Sequence, residues 1–282
     1  MMHKTYIFGW NGFLGQEIIE HLAVKKGYKI LTIGRSKNSD CEFDLLQPNY
    51  SFLNGVNAGD RFVFLAAVSS PDFCSDNYQL AHLVNVVNTK TLIHRLLDKG
   101  AHVLFASSDV VYGRTKSPVN ESSSINPLFE YAQMKAEIET YFKGRINFYV
   151  MRLSYIASIR DRFTKFLITS SKNNEEVTVF DPFIRSMISA FDVVEYVEKF
   201  ILNPNRVGVL VNLVGNNFIS RLQYVEQFSK VRSLQYKTIS PPIEFLKKRP
   251  DVILLQSLFL SKYLEREPLN VLNTMSLELG KS

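Results

Sequence analysis

Two residues in the middle of the chain, Tyr131 and Lys135, have the types and the spacing of an acid–base pair. Side chains four positions apart on a helix lie on the same face, so a helix there would bring the phenol and the ammonium together. A nearby cation favours the phenolate. We therefore expect Lys135 to lower the pKa of Tyr131 and make it an acid or base usable near neutral pH. The alternative is a surface pair without chemistry, because Tyr and Lys often occur at this spacing.

A third member of this set is Ser108, which follows a predicted buried strand. The apolar run Val103–Ala106 leads into Ser108 and Asp109. Doubly wound folds bind their ligands at the carboxyl edge of the parallel sheet, where a hydroxyl can hydrogen-bond to a reacting carbonyl oxygen. A serine at a strand end is usually a turn residue, but together with Tyr131 and Lys135 it is predicted to be catalytic.

A glycine-rich turn, Gly-Trp-Asn-Gly-Phe-Leu-Gly at residues 9–15, joins the first predicted strand to the first predicted helix. Glycines allow a tight turn and a close approach of the backbone to a pyrophosphate, which the N–H groups and the dipole of the helix N-terminus stabilise. A glycine-rich loop that binds no ligand is the alternative. The predicted cofactor-binding residues of this turn are Gly9, Asn11, Gly12, Phe13, Leu14 and Gly15.

The residues after the second predicted strand indicate which dinucleotide is bound. An acidic side chain there would bind the ribose 2′-hydroxyl of NAD, but the sequence has Arg35 and Ser36, which can hold a 2′-phosphate by charge-assisted hydrogen bonds. NADP(H) is therefore expected rather than NAD; the alternative is that Arg35 is a solvent-exposed loop cation. Further candidates, for cofactor contacts or for ordinary packing, are Asp44, Leu45, Ala66 and Ala67.

The elements that must position these residues alternate between short apolar runs and amphipathic stretches. This alternation predicts βαβ units and an α/β fold with a Rossmann-type doubly wound parallel sheet. The predicted strands are Thr5–Phe8, Lys29–Ile33, Arg61–Leu65, His102–Ala106 and Asn147–Met151, and the predicted helical stretches are Gln16–Lys25 and Leu80–Leu97.

The predicted domain boundary falls after residue 154, where this regularity weakens. We expect residues 1–154 to form an NADP-binding domain with the catalytic residues. Residues 155–282 would form mainly a small C-terminal substrate-binding lobe, with a return to the sheet near residues 177–214. Within that segment, the β-branched run Val209–Val214 has the length of a strand.

Composition argues against several other classes of protein. The net charge of +6 comes from Lys and Arg scattered along the chain, so a solvated surface and no nucleic-acid partner are expected. No apolar stretch approaches the roughly 20 residues that span a bilayer, and Cys41 and Cys74 are too few for a disulfide framework. We therefore expect a cytoplasmic protein without a membrane partner. The five histidines show no ligand spacing, so no metal is expected.

The glycine-rich turn at 9–15, Ser108 with Val-Tyr-Gly at 111–113, and Tyr131 with Lys135 resemble, in this order, the extended short-chain dehydrogenase/reductases. The resemblance implies hydride transfer at C4 of a nucleotide-linked sugar. It also implies that Tyr131 is the acid/base, that Lys135 additionally binds the nicotinamide ribose, and that Ser108 holds the sugar oxygen.

Softer matches to the same family are Asn85, which resembles a cofactor-side asparagine, and Asp44, which resembles a residue that contacts the adenine. Arg152 also stands at a family position, after the next predicted strand. Two residues depart from the family pattern: Phe8 replaces a small hydroxyl residue before the first glycine, and Met134 replaces a small residue before the lysine. Neither change removes a reacting group.

The predicted substrate contacts also come from this resemblance. Arg185 is similar to an arginine that faces the substrate diphosphate in sugar-nucleotide epimerases and reductases, with Asp192 following as a helix cap. Arg249 resembles a late arginine of the family; a salt bridge or an exposed cation is the alternative for both arginines. Asp109 and Tyr155 resemble residues of the dTDP-4-dehydrorhamnose reductases. Ser108, Asp109, Tyr155, Arg185 and Arg249 are therefore the predicted substrate-binding residues.

Taken together, the resemblance implies NADP-dependent reduction of a 4-keto nucleotide sugar. An NAD-dependent nucleotide-sugar epimerase is the alternative within enzymes. A catalytically silent NADP-sensing or regulatory subunit is the alternative of another class, since one fold hosts many functions. Relatives commonly form homodimers, so a homodimer is a further expectation.

Overall fold

The computed structural model describes residues 3–25 and 27–281. A seven-stranded sheet forms its centre, with the strand order β11-β6-β5-β4-β1-β2-β3 and every neighbouring pair parallel. The strands are β1 (Lys4–Phe8), β2 (Lys29–Gly34), β3 (Cys41–Glu42), β4 (Arg61–Phe64), β5 (His102–Ser108), β6 (Phe148–Leu153), β7 (Ile156–Ala157), β8 (Val177–Phe180), β9 (Ile184–Arg185), β10 (Ile188–Ser189), β11 (Leu210–Leu213), β12 (Ile219–Ser220) and β13 (Tyr236–Ile239). The order reverses between β1 and β4, which is the topological switch point of a Rossmann sheet.

Helices cover both faces of this sheet, and further helices lie in the second half of the chain. They are α1 (Phe13–Ala23), α2 (Pro71–Asp76), α3 (Tyr78–His82), α4 (Thr89–Asp98), α5 (Glu130–Tyr141), α6 (Arg162–Asn173), α7 (Ala190–Leu202), α8 (Arg221–Ser229), α9 (Ile243–Lys247), α10 (Leu260–Leu264) and α11 (Val271–Leu279). The predicted helical stretch Leu80–Leu97 is interrupted by a π-helical segment, Leu83–Asn88. None of the described helices is long and apolar enough to cross a membrane.

The inner strands β1, β4, β5 and β6 are buried on both faces, and their successive side chains point to opposite sides. In β1, Tyr6 and Phe8 enter the core beneath α4 and α5, whereas Ile7 enters the core beneath α1 and α7. This double burial explains the continuous apolar runs of the predicted strands. The predicted α/β fold is confirmed, and β11 lies parallel to β6 at one edge, where the run Val209–Val214 was expected to join the sheet.

A smaller lobe lies beyond β6 and has its own apolar core. Residues of β8, α6, α8 and α11 pack there, including Leu167, Val177, Tyr224 and Met275. Strand β13 pairs with β8, and β12 pairs with β9. The lobe therefore stands beside the carboxyl edge of the sheet, where Arg185 at the end of β9 comes within 3.6 Å of Asp109, the residue that follows β5.

Candidate active site

A cavity of about 420 Å³ opens at the switch point between β1 and β4. Its lining contains most of the predicted cofactor residues, namely Gly9, Asn11, Gly12, Arg35, Asp44, Leu45, Ala66 and Ala67. It also contains Phe73, Leu80 and Val84, which sequence reasoning missed. Phe73 and Leu80 are exposed apolar side chains in the structure. Their exposure could have identified them as lining residues, but exposure cannot be read from the sequence.

The glycine-rich turn packs so closely that only glycines fit at two positions. Gly9 has φ +90°, and a Cβ atom there would lie 2.9 Å from the backbone nitrogen of Ala66. A Cβ atom at Gly15 would lie 2.6 Å from the carbonyl oxygen of Gly9. Gly12 is the N-cap of α1, and no side chain caps that helix. Open first-turn N–H groups beside a cavity fit a dinucleotide pyrophosphate.

The lining of this cavity includes Arg35, the side chain predicted to bind the 2′-phosphate of NADP. Arg35 is exposed and lines both the cavity at the switch point and an adjoining one of about 750 Å³, which also contains Asp40 and Glu42. Ser36 is in neither lining, and its Oγ accepts a hydrogen bond from the N–H of Asn38 at 3.2 Å. The geometry therefore places Arg35, but not Ser36, on the cavity wall.

Asn85 supports the cavity at the switch point without lining it. This buried side chain accepts a hydrogen bond from the N–H of Val68 at 2.8 Å and donates one to the Val68 carbonyl at 2.9 Å. Asn88, one helical turn later, donates to the carbonyl of Leu45 at 2.6 Å. The two amides thus fix two cavity loops. Sequence reasoning missed the role of Asn88, although its spacing of three from Asn85 was a visible signal.

Lys135 is almost completely buried, with 4% of its surface exposed. Its Nζ donates a hydrogen bond to the carbonyl oxygen of Ala106 at 2.7 Å and lies 5.7 Å from the ring centre of Tyr131. Burial lowers the pKa of Lys135 to about 8, although the charge of Glu139 acts in the opposite direction. The ammonium is therefore held between α5 and the end of β5, close to the phenol.

The pKa of Tyr131 differs in direction from the expectation. Burial raises it, and the charge of Asp109 acts in the same direction. The expectation of a lowered pKa for Tyr131 is therefore wrong for this arrangement, because burial desolvates the phenolate. Tyr131 is protonated at neutral pH, which suits a proton donor.

Ser108 is the last residue of β5, and Asp109 follows it at the carboxyl edge of the sheet. The Oγ of Ser108 donates a hydrogen bond to Oδ1 of Asp109 at 3.2 Å. Asp109 is buried; Ser154 donates to its Oδ2 at 3.3 Å, and Nε of Arg185 lies 3.6 Å from the same atom. Burial raises the pKa of Asp109, while the charge of Arg185 lowers it. This cluster continues the site from β5 towards the lobe.

The side chains predicted to contact substrate make internal contacts instead of standing free. Arg185 is buried and donates to the carbonyls of Ile184 at 2.8 Å, Asp251 at 3.1 Å and Pro250. The hydroxyl of Tyr155 donates to Asp161 at 2.6 Å.

Arg249 lies at the surface of the lobe and faces α2. It forms a two-pronged ion pair with Asp72 of α2. The three long predicted substrate side chains, those of Tyr155, Arg185 and Arg249, thus differ in how easily a ligand could reach them.

Asp192 is not the cap of α7, so that prediction is wrong. The cap is Ser189, whose Oγ accepts a hydrogen bond from the N–H of Phe191. Asp192 lies in the first helical turn, fully buried, 2.8 Å from Nη1 of Arg266. This buried ion pair gives Asp192 a structural role.

A larger cavity of about 960 Å³ lies on the same side of the protein as α7. Its lining contains none of the predicted site residues.

Both the sequence and the fold of this chain are similar to those of known proteins. Residues 2–244 match the family described as the RmlD substrate binding domain. The methionine adenosyltransferase 2 subunit beta of Xenopus tropicalis is 26% identical over 147 residues, covering 48% of this chain and 41% of that protein. The chain thus spans less than half the length of this curated relative.

Two solved structures share the whole fold. The dTDP-4-dehydrorhamnose reductase of Clostridium acetobutylicum ATCC 824 superposes with a TM-score of 0.80 at 22% identity, over 99% of this chain and 97% of the other. The UDP-glucose-4-epimerase of Stenotrophomonas maltophila, solved with bound NAD, superposes with a TM-score of 0.82 at 16% identity, over 99% and 97%. Because the family match covers most of the sequence, this chain belongs to the RmlD substrate binding domain family.

Proposed function

We propose that this protein reduces a 4-keto nucleotide sugar with NADPH. The observation that carries the proposal is the placement of Lys135. Its buried ammonium is bound to the Ala106 carbonyl, close to the ring of Tyr131, at the end of the strand that also supplies Ser108. Family membership supports the substrate class, and the likeness to the C. acetobutylicum reductase supports the fold.

The residues of this chain have distinct roles in the proposed reaction. When bound, the reduced nicotinamide supplies the hydride. Tyr131, protonated at neutral pH, donates its proton to the carbonyl oxygen, and Ser108 hydrogen-bonds to the same oxygen. Lys135 stabilises the phenolate that remains and binds the nicotinamide ribose. Asp109 orients the hydroxyl of Ser108 through the hydrogen bond between them.

Arg35 supports NADP as the cofactor of this reaction. Its exposed guanidinium stands on the cavity wall after β2, where a 2′-phosphate would be held by charge-assisted hydrogen bonds. Within the proposal, residues 1–154 bind the cofactor and carry the catalytic groups. Residues 155–282 contribute mainly to substrate binding.

The test compares Tyr131→Phe with Tyr141→Phe, a matched change at an exposed position of the same helix. With NADPH and a panel of nucleoside-diphosphate 4-keto-6-deoxysugars, the first change should lower kcat by about 10²–10⁴-fold, and the second should leave it unchanged. Trp10, the only tryptophan in the sequence, sits in the glycine-rich turn and reports NADPH and NADH binding by fluorescence. Full turnover by Tyr131→Phe would refute the mechanism. NAD retained through purification would instead favour the epimerase.

A second candidate is a regulatory subunit that binds the dinucleotide without turnover. It is favoured by the relative from X. tropicalis, which is named as a subunit. The Ser108, Tyr131 and Lys135 set argues for the enzyme. Binding of NADPH, reported by Trp10, without turnover of any nucleotide sugar would favour the subunit.

A further inference from the structure

A side-chain hydrogen bond joins the glycine-rich turn to the loop that follows β2. The indole Nε1 of Trp10 donates to Oγ of Ser39 at 2.9 Å, across 29 positions of the chain. Both side chains are partly buried. The proposed hydride transfer makes no use of either residue, so the bond between them calls for a separate explanation.

Trp10 gives this bond a rigid support. Its ring packs against the apolar core beneath α1 and α7. It also approaches the backbone of Gly34 so closely that a Cβ atom there would lie 3.3 Å from Nε1 and 3.3 Å from Oγ of Ser39. The glycine at the end of β2 therefore lets the indole lie against the strand and reach Ser39.

The loop that contains Ser39 is also fixed by other hydrogen bonds. The N–H of Ser39 donates to the carbonyl of Ser36 at 2.9 Å, which closes a turn. Oδ2 of Asp40 accepts from the N–H and the hydroxyl of Thr32 at 2.8 and 2.7 Å, and so ties the far end of the loop to β2. Arg35 lies between β2 and this turn, and the backbone on both sides of it is held.

The guanidinium of Arg35 is exposed and makes no ion pair in the part of the chain that the structure describes. Asp40, Glu42 and Asp44 share the wall of the adjoining cavity with it. Oδ1 of Asp44 accepts instead from the N–H of Leu46 at 2.9 Å. Arg35 thus combines a held backbone with a side chain that can still bind a phosphate, which is the arrangement that preorganised binding requires.

We propose that the hydrogen bond between Trp10 and Ser39 is a determinant of cofactor specificity, because it holds the loop that presents Arg35 to the 2′-phosphate of NADPH. Trp10 and Ser39 are positioning residues that act through Arg35. A loop that is fixed before binding loses little conformational freedom when the phosphate binds. NADH has no 2′-phosphate, so its affinity does not depend on the position of Arg35. This inference rests on the proposed function for NADP as the cofactor.

The test measures the Kd of NADPH and of NADH by calorimetric titration of the full chain. Ser39→Ala removes the acceptor of the bond. It should weaken NADPH binding by roughly three- to tenfold, the equivalent of one hydrogen bond, and leave the Kd of NADH unchanged. Ser39→Thr keeps a hydroxyl and should retain the parental preference. Ser233→Ala, at an exposed serine between α8 and β13, is the matched control and should bind both cofactors like the parent.

A double-mutant cycle with Arg35→Met separates positioning from general destabilisation. Arg35→Met alone should weaken NADPH binding by about tenfold or more, since charge-assisted bonds to the phosphate are lost. Adding Ser39→Ala should then have no further effect, because no guanidinium is left to position. A merely structural role of the bond would weaken both cofactors and would persist in Arg35→Met.

Equal weakening of NADPH and NADH in Ser39→Ala, unchanged affinity for both, or additive effects of the two substitutions would overturn the inference. A parent protein that binds NADH as tightly as NADPH would overturn it together with the proposed cofactor. If the preference for NADPH depends on Ser39 as described but no keto sugar is reduced, the proposed function fails and this inference stands. If turnover depends on Tyr131 and NADPH binding on Arg35, but Ser39→Ala keeps the parental preference, this inference fails alone.

Discussion

The substitution Lys135→Met should abolish turnover without destabilising the protein. Replacing a buried side chain usually lowers the free energy of unfolding by several kcal/mol, and only unusual sites escape this cost. Lys135 is such a site because its charge is buried at 4% exposure. Methionine has a similar length and volume, so the substitution leaves no large cavity.

The magnitude follows from the pKa of the ammonium. Burial lowers this pKa from 10.5 to about 8, a difference equivalent to roughly 3 kcal/mol against folding while the lysine is charged. The substitution also removes the hydrogen bond to the Ala106 carbonyl, and a bond from a charged donor is worth about 1.5–3 kcal/mol. The free energy of unfolding should therefore stay level or rise by about 1–2 kcal/mol.

The sign of the pH dependence offers an independent check. Between about pH 8 and 10.5 the unfolded chain binds the lysine proton and the folded chain does not, so the stability of the parent should rise with pH across this window. Lys135→Met should lack that rise. Lys90→Met, at a lysine paired with Glu137 at the surface, is the control and should keep it.

Urea unfolding at several pH values measures both quantities. A loss of more than about 2 kcal/mol in Lys135→Met would show that the buried charge is compensated better than this structure indicates, and would refute the reasoning. An identical pH dependence in Lys135→Met and the parent would refute it equally.

Two further predictions concern the cofactor turn and the buried pair behind α5. Gly15→Ala should abolish the Trp10 fluorescence response to NADPH, because its Cβ atom would lie 2.6–2.7 Å from backbone atoms of the turn; Gly55→Ala, whose Cβ atom would meet only a lysine tip at 3.9 Å, should retain the response. Glu139→Gln should lower the free energy of unfolding by about 3–5 kcal/mol, measured by urea unfolding. It leaves the guanidinium of Arg152 buried without its carboxylate, and a loss below about 1 kcal/mol would contradict this.

The sequence predicted the sheet and its ligand-binding edge because both depend on local patterns. Apolar runs, glycines at fixed offsets and a serine at a strand end are readable within a few residues, and Gly9, Gly12 and Ser108 lie where those patterns place them. The structure moved the boundaries of the elements, as in α1, which begins at Phe13, and divided the predicted helical stretch Leu80–Leu97 by a π-helical segment.

What the sequence could not predict depends on residues far apart in the chain. The carbonyls that occupy Arg185 belong partly to Pro250 and Asp251, 65 and 66 positions away. The burial that raises the pKa of Tyr131 is likewise a property of the packed site, not of its spacing from Lys135. A spacing of four residues on a helix shows that two side chains share a face, but it does not reveal how far that face is shielded from solvent.

The buried cations Arg152 and Lys135 differ in how their charge is compensated. Burial alone would lower the pKa of Arg152, but the hydrogen bonds and charge of Glu139 raise it, as expected of a compensated pair. Lys135 instead has its pKa lowered, and it has no carboxylate in ion-pair contact within the described residues. A fold that compensates Arg152 could have compensated Lys135 by the same means. Since buried unpaired charge destabilises a protein, the retention of Lys135 beside Tyr131 is most simply explained by the negative charge that develops on the phenol in the proposed reaction.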